Sequence, residues 1–566
     1  MAVGSFCLVL HGHLPYVLRH GVWPHGEDWL YEAAAETYLP LLAVIGECEF
    51  LNAPARMTIG LTPVLLEQLS HEHFKAGFEH YLQDSIDRAL RDKAEFTQWN
   101  NGHMVYLAEQ WAQRYSRLRE QFHSIDRDIP RAFAAQAKKG LIEILTSAAT
   151  HGYLPLLYED SSIRAQLRAG LASSQRILGY RPDGMWLPEC AYRGGGPWSS
   201  PIGWAGKENR IGVENLVADE GINHFFVEHH LIRNSRSEFV FNHDQWHKVG
   251  WDEAAKYPNR GWNSINEPVR VSDGLGPGRA VAFGRDEQVC EQVWSGTIGY
   301  PADGVYLEFH KRHGPKRGLR YWKITGNRVD LGAKNLYYPD DVVGRIHQHS
   351  QHFCQVVKQR LWDYRNRTGR HGVVAACFDA ELFGHWWFEG PQFLRDVILT
   401  LNADPDVDLQ TSGQYLHDHP PDKACSLPRG SWGQDGDDRV WSNDKVNWMW
   451  DIEYRCEARF GKMTFELPWQ SDPQILDLLQ KAGRELLLLQ ASDWQFVVTR
   501  GQAIDYGIKR FMLHVSRFET LIDLCEKLAE DSAYLGKLNE VEAHEVEDAD
   551  IHDVIFPQIN LNWWSM

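Results

Sequence analysis

The stretch Val373-Val-Ala-Ala-Cys-Phe-Asp-Ala-Glu381 is a short apolar run that ends in two carboxylates. Short apolar runs bounded by turn signals are typical of buried parallel strands. Functional groups at the carboxyl ends of several such strands indicate an α/β barrel, although a doubly wound open sheet follows a similar rule. Three other runs end in polar residues in the same way: Phe6–Leu10 before His11-Gly-His13, Met57–Leu61 before Thr62-Pro63, and Gly184–Leu187 before Pro188-Glu189.

The composition is that of an ordinary globular protein. Of 566 residues, 43% are hydrophobic and 24% are charged, which excludes a disordered, collagen-like or small disulfide-rich chain. The formal net charge is −18 and no basic cluster stands out, which argues against nucleic acid or an anionic membrane as a partner. The 23 tryptophans are unusual and suit sugar binding, although a large tryptophan-rich core explains them equally well.

Several features point to the cytoplasm. Nine single cysteines without a Cys-x-x-Cys pair predict reduced thiols rather than a disulfide framework or a structural zinc site. The N-terminal apolar run stops at His11 and has no basic residues before it, which indicates a first strand and not a signal peptide. No apolar stretch reaches the ~18 residues of a membrane span.

The chain divides into segments of different character. Residues 70–145 are charged, helical in period and poor in glycine, which predicts a helical insertion between early barrel strands. Residues 228–268 are polar and aromatic, and a loop of that length is typical of a lid or a binding loop. A Gly/Asp-rich loop and then a helix-start signal at Asp472-Pro473 follow. We therefore predict a catalytic unit over 1–418 and a helical unit over 419–566.

Two carboxylates are candidates for catalysis because each is the first acid after an apolar run. They are Glu189, flanked by Trp186 and Tyr192, and Asp379, followed by His385 and two tryptophans. Taken singly, each is equally well explained as a helix-capping residue. Two strand-end acids that face one cleft are, however, what glycoside cleavage requires, with the carboxyl groups ~5–5.5 Å apart in a retaining enzyme.

Three histidines are candidates for the same cleft. His11 and His13 alternate at the end of a strand, so both can point the same way, and His151 lies in a similar context. These imidazoles are able to bind a sugar, to orient a carboxylate, or to ligate a metal together with an acid such as Asp379. They are equally able to bond to one another at the rim of a barrel.

Three residues of the C-terminal part complete the candidates. Trp432 and Trp441 lie on an irregular glycine-rich segment, which favours a binding role over a place in a core, although the loop is also able to pack on its own indoles. Asp493 precedes Trp494 in a mostly apolar helical stretch. An aspartate there needs a buried partner or lines a cleft.

The order of the motifs is more specific than any single one. By the order of its motifs, given below, the chain resembles glycoside hydrolase family 57 over nearly its whole length. Within that family it is similar to the 1,4-α-glucan branching enzymes. The resemblance rests on His11-Gly-His-Leu-Pro15, Gly60-Leu-Thr-Pro63, Trp186-Leu-Pro-Glu189, Gln292-Val-Trp-Ser295, Gly299-Tyr-Pro301, Phe378-Asp-Ala-Glu-Leu-Phe-Gly-His-Trp-Trp387, the Trp432/Trp441 pair and Ser492-Asp-Trp-Gln-Phe496.

The resemblance implies a (β/α)7 barrel with a helical insertion and a C-terminal helical domain that closes the cleft. It implies Glu189 as nucleophile and Asp379 as acid/base, and hence a low pKa for Glu189 and a raised pKa for Asp379. It further implies His11, His13 and His151 at the donor site, Trp294, Trp386, Trp432 and Trp441 stacked on glucose units, and Asp493 reaching in from the C-terminal domain.

The activity implied is cleavage of an α-1,4 linkage by a retaining double displacement and transfer to a 6-hydroxyl. Donor and acceptor are then α-1,4-glucans, no metal or organic cofactor takes part, and the protein is a monomer or a small homo-oligomer. The main departure from the family lies at 228–268, where this chain is longer, and Trp246 and Tyr257 are both candidates for the tip of a loop over the cleft.

Three alternatives remain open from the sequence. The first is a sister activity of the same family, an α-amylase or a 4-α-glucanotransferase. The second is a metal-dependent carbohydrate hydrolase or deacetylase built on His11 and His13. The third is an inactive glucan-binding protein.

Overall fold

The computed structural model describes residues 2–249, 263–326, 328–552 and 554–565. Seven parallel strands form its centre, joined in the order β7-β1-β2-β3 and β4-β5-β6. These strands are β1 Gly4–Gly12, β2 Met57–Leu61, β3 Ile142–Leu145, β4 Gly184–Met185, β5 His224–Val227, β6 Val281–Gly284 and β7 Gly372–Asp379.

Two parallel bridges close the strands into a ring. Thr146 pairs with Met185 beyond the end of β3, and Arg285 pairs with Ala375 beyond the end of β6. All nine residues of β1 and the first seven of β7 are buried, because the strands are covered on both faces. The predicted (β/α)7 barrel is confirmed, and the open doubly wound sheet is not what forms.

Helices surround the barrel and build the C-terminal part. Those associated with the barrel are Glu27–Ala33, Leu39–Phe50, Pro63–Ser70, Glu72–Gln98, Gly102–Ser124, Ile129–Lys138, Asp160–Leu178, Val213–Asp219, His229–Arg233, Glu287–Trp294, Pro339–Thr368, Gly390–Asn402 and Ser412–Asp418. Those of the C-terminal part are Asn447–Glu466, Pro473–Leu489, Asp493–Arg500, Ile504–Glu530 and Glu540–Ile551. No helix in these described ranges is both long and apolar enough to cross a membrane.

The remaining strands lie outside the ring. Short pairs or additions to the sheets are formed by Gly196–Trp198, Lys207–Arg210, Arg236–Asn242, Gln245–Lys248, Val269–Val271, Val407–Leu409 and Lys423–Ser426.

The segment predicted as a helical insertion contains two long helices, Glu72–Gln98 and Gly102–Ser124, and the shorter Ile129–Lys138. Its predicted end at about 145 is too late, because Ile142–Leu145 is barrel strand β3. The error has a simple cause: β3 carries the charged Glu143, whose carboxylate is held by Ser412 and the amide of Gly413. This one charge interrupts the apolar run of the strand in the sequence.

The predicted loop over 228–268 is partly ordered secondary structure. Its described part contains the helix His229–Arg233 and the hairpin Arg236–Asn242/Gln245–Lys248, which extends the sheet at Lys423–Ser426. Trp246 packs in this hairpin beneath the guanidinium of Arg270, 5.3 Å from the ring centre. Trp246 is therefore not a cleft residue, and the alternative, Tyr257, lies outside the described residues.

One buried acid of the C-terminal part carries a prediction about stability. The Glu453 side chain is fully buried and its Oε2 accepts a 3.3 Å bond from Gln495. Burial, with nearby Glu457, raises the pKa of Glu453 well above its usual value. Because the folded state holds this proton more tightly than the unfolded state, the stability that it contributes is present at pH 4 and is lost as pH rises through the raised pKa.

We therefore expect Glu453→Gln, which stays neutral, to unfold with a free energy about 1–3 kcal/mol higher than the parent protein at pH 9, and with little difference at pH 4. Denaturant unfolding at both pH values measures this. The control is Glu466→Gln, because Glu466 is exposed at the end of the same helix. An equal effect of the two variants at pH 9 would contradict the prediction.

Candidate active site

A cavity of about 1040 Å³ opens at the carboxyl ends of the barrel strands. This is the end at which barrel enzymes carry their active sites. All ten candidate residues line it: His11, His13, His151, Glu189, Trp294, Asp379, Trp386, Trp432, Trp441 and Asp493. The structure thus brings together side chains that are up to 482 positions apart in the chain (from 11 to 493).

Glu189 is held by two hydrogen-bond donors from the C-terminal part. The Trp432 indole N–H donates to its Oε2 at 2.8 Å, and the Ser492 hydroxyl donates to its Oε1 at 3.1 Å. The backbone at Glu189 is in the left-handed region, with φ of 60°. A non-glycine residue there is strained, and such strain clusters at functional sites.

The pKa of Glu189 differs from the sequence-based expectation. Burial raises it to about 7, while the two hydrogen bonds oppose the rise. The expected low pKa for this residue is therefore wrong, because the sequence did not reveal how deeply the carboxyl is buried.

Asp379 has a contrasting environment at the end of β7. Its Cα lies opposite that of His11 in the ladder with β1. No described residue donates a hydrogen bond to its carboxyl. Burial, followed by the charges of Glu381 and Glu189, raises the pKa of Asp379 well above its usual value. Two acids in one cavity, of which only one has donors to its ionised form, are suited to opposite roles.

Two of the three histidines, His11 and His151, are joined by a hydrogen bond. The Nε2 atoms of His11 and His151 are 3.1 Å apart, and His151 Nδ1 lies 3.1 Å from the Ser492 hydroxyl. Because Ser492 donates to Glu189, His151 donates from Nδ1 to the serine and accepts from His11 at Nε2. The row of donors thus points at Glu189. Burial lowers the pKa of both imidazoles well below the usual value.

His13 belongs to a second row. Its Nε2 lies 3.0 and 3.1 Å from the two carboxylate oxygens of Asp493, and its Nδ1 lies 3.0 Å from the Thr62 hydroxyl. Burial opposes protonation of His13, but the neighbouring Asp493 carboxylate raises its pKa overall. Asp493 was expected inside a helix, but it is the first residue of the helix Asp493–Arg500. The preceding helix ends at Leu489, and the amide of Ser492 donates to the His151 carbonyl.

A metal site at these histidines is one of the alternatives that the sequence left open. In the part of the chain that the structure describes, one set of three ligand atoms lies close enough to hold a metal, and it is formed by Asp92, Glu95 and His313, away from the cavity. Five of the six ring nitrogens of the three candidate imidazoles in the cavity are instead engaged in the two rows of hydrogen bonds, and Nδ1 of His11 has no partner among the described residues.

The four candidate tryptophans differ in what they offer a sugar. Trp386 is 50% exposed and stacks on Phe309 at 4.5 Å, and Trp294 is 37% exposed. Trp432 is partly buried and uses its N–H on Glu189. Trp441 is only 1% exposed and stacks on Tyr153. The predicted stacking role therefore suits Trp386 and Trp294, whereas Trp441 supports the wall from behind.

Sequence reasoning missed four residues of the site. Ser492 and Thr62 lie within quoted motifs, but a hydroxyl beside a stronger candidate gave no separate signal. Glu381 accepts from the backbone N–H of His13 at 3.2 Å. Arg285 follows β6 and donates to Glu228 at 2.8 Å; its place after the apolar run Val281–Gly284 is the signal that was available.

Removal of the Ser492 hydroxyl tests the link between this row and Glu189. Ser492→Ala removes a donor to the ionised carboxylate, so the pKa of Glu189 should rise. We expect the acidic limb of the pH profile of kcat/KM to move upward by about 0.5–1 unit. Ser471→Ala removes an exposed hydroxyl that bonds to the Pro468 carbonyl and should leave the profile unchanged. A limb that does not move in Ser492→Ala would contradict the link.

A closed parallel barrel whose cavity combines two strand-end acids with exposed indoles defines the class of carbohydrate-active barrel enzymes. The model of glycosyl hydrolase family 57 matches residues 7–428, and a model described as the C-terminal part of 1,4-alpha-glucan branching enzyme matches residues 454–564. The chain belongs to glycosyl hydrolase family 57. The first match extends ten residues past the predicted boundary at 418/419 and the second begins at residue 454, so the boundary stays a prediction.

Known relatives agree with this membership. A 1,4-alpha-glucan branching enzyme of Thermococcus kodakarensis is 36% identical over 92% of this chain and 73% of its own length. The crystal structure of a branching enzyme of the same family from Pyrococcus horikoshii superposes with a TM-score of 0.87 at 34% identity, covering 99% of this chain and 97% of its own. An α-amylase structure from Thermotoga maritima gives 0.81 at 26% identity, covering 100% and 99%.

Proposed function

We propose that this protein is a 1,4-α-glucan branching enzyme. The observation that carries the proposal is the pairing of Glu189 and Asp379 in one indole-walled cavity, in a chain whose C-terminal part matches the branching-enzyme model. The neutral, hydroxyl-rich substrate also suits the cavity, whose lining includes the exposed indoles of Trp294 and Trp386.

The proposed reaction is a retaining double displacement. Asp379, protonated because its pKa is raised, gives its proton to the leaving glycosidic oxygen while Glu189 attacks the anomeric carbon. The C1–O bond breaks and a glucosyl ester forms on Glu189. Asp379, now ionised, removes the proton from the 6-hydroxyl of an acceptor chain, whose oxygen displaces Glu189 and creates the α-1,6 branch.

A second candidate function is hydrolysis, since the α-amylase relative shares the whole fold. Transfer and hydrolysis differ only in whether a glucan or water meets the ester, so exclusion of water decides between them. The branching-enzyme relatives at 31–36% identity favour transfer over hydrolysis.

The deciding experiment incubates purified protein with linear amylose, then treats the product with isoamylase and sizes the released chains. New isoamylase-sensitive linkages support branching. Longer linear chains without them indicate a 4-α-glucanotransferase, and a rise in reducing ends alone indicates an amylase. Either of these outcomes overturns the proposal.

We further propose that the protein works in the cytoplasm, in synthesis of a glycogen-type glucan, as a monomer or small homo-oligomer. Nine buried free thiols suit a reducing compartment. Light scattering of the purified protein measures the oligomeric state, and a mass above that of a tetramer contradicts this part of the proposal.

A further inference from the structure

One side chain of the cavity is braced from behind in a way that the proposed reaction does not use. His385 lines the cavity, and its Nδ1 lies 2.7 Å from Oε2 of Glu36. The other oxygen of Glu36 accepts a 2.7 Å bond from the guanidinium of Arg320, and both of these side chains are buried. The result is a row of three, Arg320–Glu36–His385, that runs from the interior to the cavity.

The charge state of Glu36 in this row is well defined. Burial alone would favour neutral Glu36, but Arg320 and His385 outweigh it and lower the pKa of Glu36 to about 2. Glu36 is therefore an anion at every physiological pH and accepts a hydrogen bond from Nδ1 of His385. With Nδ1 committed, Nε2 is the polar atom that His385 can offer to a ligand. No hydrogen-bond partner for Nε2 lies among the described residues.

The backbone is fixed as firmly as the ring. Arg320 also donates to the carbonyl of His385 at 3.2 Å. Gly384, with φ of +112°, lies so close to the Glu36 carbonyl that a Cβ there would be 1.8 Å from its oxygen. Glu36 itself stands on the π-helical turn Ala34–Tyr38, and such turns often mark functional sites. An imidazole held at this level of constraint is pre-organised for binding.

The position of His385 indicates which part of a glucan it meets. It follows Asp379 by six residues and adjoins Trp386, the most exposed indole of the cavity wall. The donor-side imidazoles, in contrast, are linked to Glu189. In a retaining mechanism the leaving group and the acceptor lie on the side of the acid/base, which here is the side of Asp379.

We propose that His385 binds the acceptor glucan, with Nε2 bonded to a hydroxyl of the glucose unit that stacks on Trp386, and that Glu36 and Arg320 are positioning residues for it. This inference rests on the proposed glucan-transfer function. Loss of the bond should weaken acceptor binding about 5- to 20-fold and change kcat at saturating acceptor less than 3-fold.

Two near-isosteric variants separate binding from structure. His385→Asn keeps an N–H near Nδ1 for Glu36 but has no atom near Nε2. His385→Gln places its amide near Nε2 and gives up the bond to Glu36. A role in binding predicts a weakened acceptor site in His385→Asn and a partly retained one in His385→Gln. A merely structural role predicts the reverse order, with the larger loss of thermal stability in His385→Gln.

The assay uses amylose as donor and increasing concentrations of fluorescently labelled maltoheptaose as acceptor. Labelled products of either linkage are counted as transfer, so the result does not depend on whether branches are made. Failure of the proposed function appears as unbranched products, whereas failure of this inference appears as wild-type half-saturation in His385→Asn. The control is His73→Ala, which removes a histidine paired with Glu27 at 2.8 Å outside the cavity lining.

If wild-type protein transfers too little label, acceptor binding is measured on variants that do not turn over. Calorimetric titration of maltoheptaose into Glu189→Gln and into Glu189→Gln/His385→Asn gives the same comparison. A dissociation constant raised about 5- to 20-fold in the double variant supports the inference. Equal constants in the two proteins overturn it.

Discussion

Glu189→Gln should lower kcat on amylose by at least about 10³-fold, because an amide cannot form the glucosyl ester through which both half-reactions pass. The substitution preserves shape, and its carbonyl oxygen still accepts from Trp432 or Ser492. KM is expected to change little, since the sugar contacts of the cavity remain. Initial rates of amylose conversion, followed by both reducing ends and product size, measure the loss.

The chain offers a closely matched control for this variant. Glu389 is a buried glutamate whose pKa burial likewise raises to about 7, and its Oε1 accepts from Tyr337 and from the amide of Leu307. It lies outside the cavity lining. Glu389→Gln should therefore keep kcat within about 3-fold of the parent protein. If both variants lose activity equally, burial of a carboxyl and not nucleophilic attack accounts for the loss.

Glu189→Gln should also be more stable than the parent protein. The pKa of Glu189 in the fold is about 7 against an ordinary 4.5. Stability that depends on its proton is therefore present below pH 4.5 and is lost as pH rises through 7. A neutral glutamine avoids this loss, so we expect a gain of up to about 3 kcal/mol at pH 8 and little at pH 4. Loss of activity with increased stability also excludes misfolding as the cause.

The sequence predicted the barrel because its strands are buried on both faces. An apolar run such as Val373–Phe378, followed at once by a carboxylate, favours the end of a covered parallel strand. Strand β3 was missed for the opposite reason, since Glu143 interrupts its apolar pattern and is satisfied by partners 269 and 270 positions away. Such compensation by distant residues leaves no local signal.

The same limit applies to the site. Glu189 and Asp379 were predicted because each ends an apolar run. Six further candidates came from their sequence context, and the family resemblance added Trp294 and Trp386, which gives the ten residues that the fold brings to one cavity. The sequence did not reveal which partner each of these residues contacts. Trp432 donates a hydrogen bond to Glu189, Trp441 is buried, and Asp493 pairs with His13. These facts depend on the packing of the C-terminal part against the barrel, which residue patterns do not encode.

Asp379→Asn should lower the rate on amylose by about 10²–10⁴-fold, because the variant cannot protonate the leaving glycosidic oxygen. The loss should depend on the leaving group, which separates this residue from Glu189. Fluoride departs without a proton, so α-maltosyl fluoride should still react with Glu189 in the variant. The second step then needs a base to activate the acceptor hydroxyl, and that base is missing.

The glycosyl ester should consequently accumulate in Asp379→Asn, and mass spectrometry of the intact protein should show one maltosyl unit added, located by digestion on the peptide that contains Glu189.

The pH profile provides an independent check. In the parent protein activity falls as pH rises through the raised pKa of Asp379, since the acid must be protonated, whereas the fluoride reaction of the variant should lack this limb. The double variant Glu189→Gln/Asp379→Asn is the control and should gain no mass. If Asp379→Asn cleaves amylose at a near-parent rate, or if the fluoride gives no adduct in a folded variant, the assigned roles of the two acids are wrong, because each step of the proposed path requires one specific carboxyl in one specific protonation state.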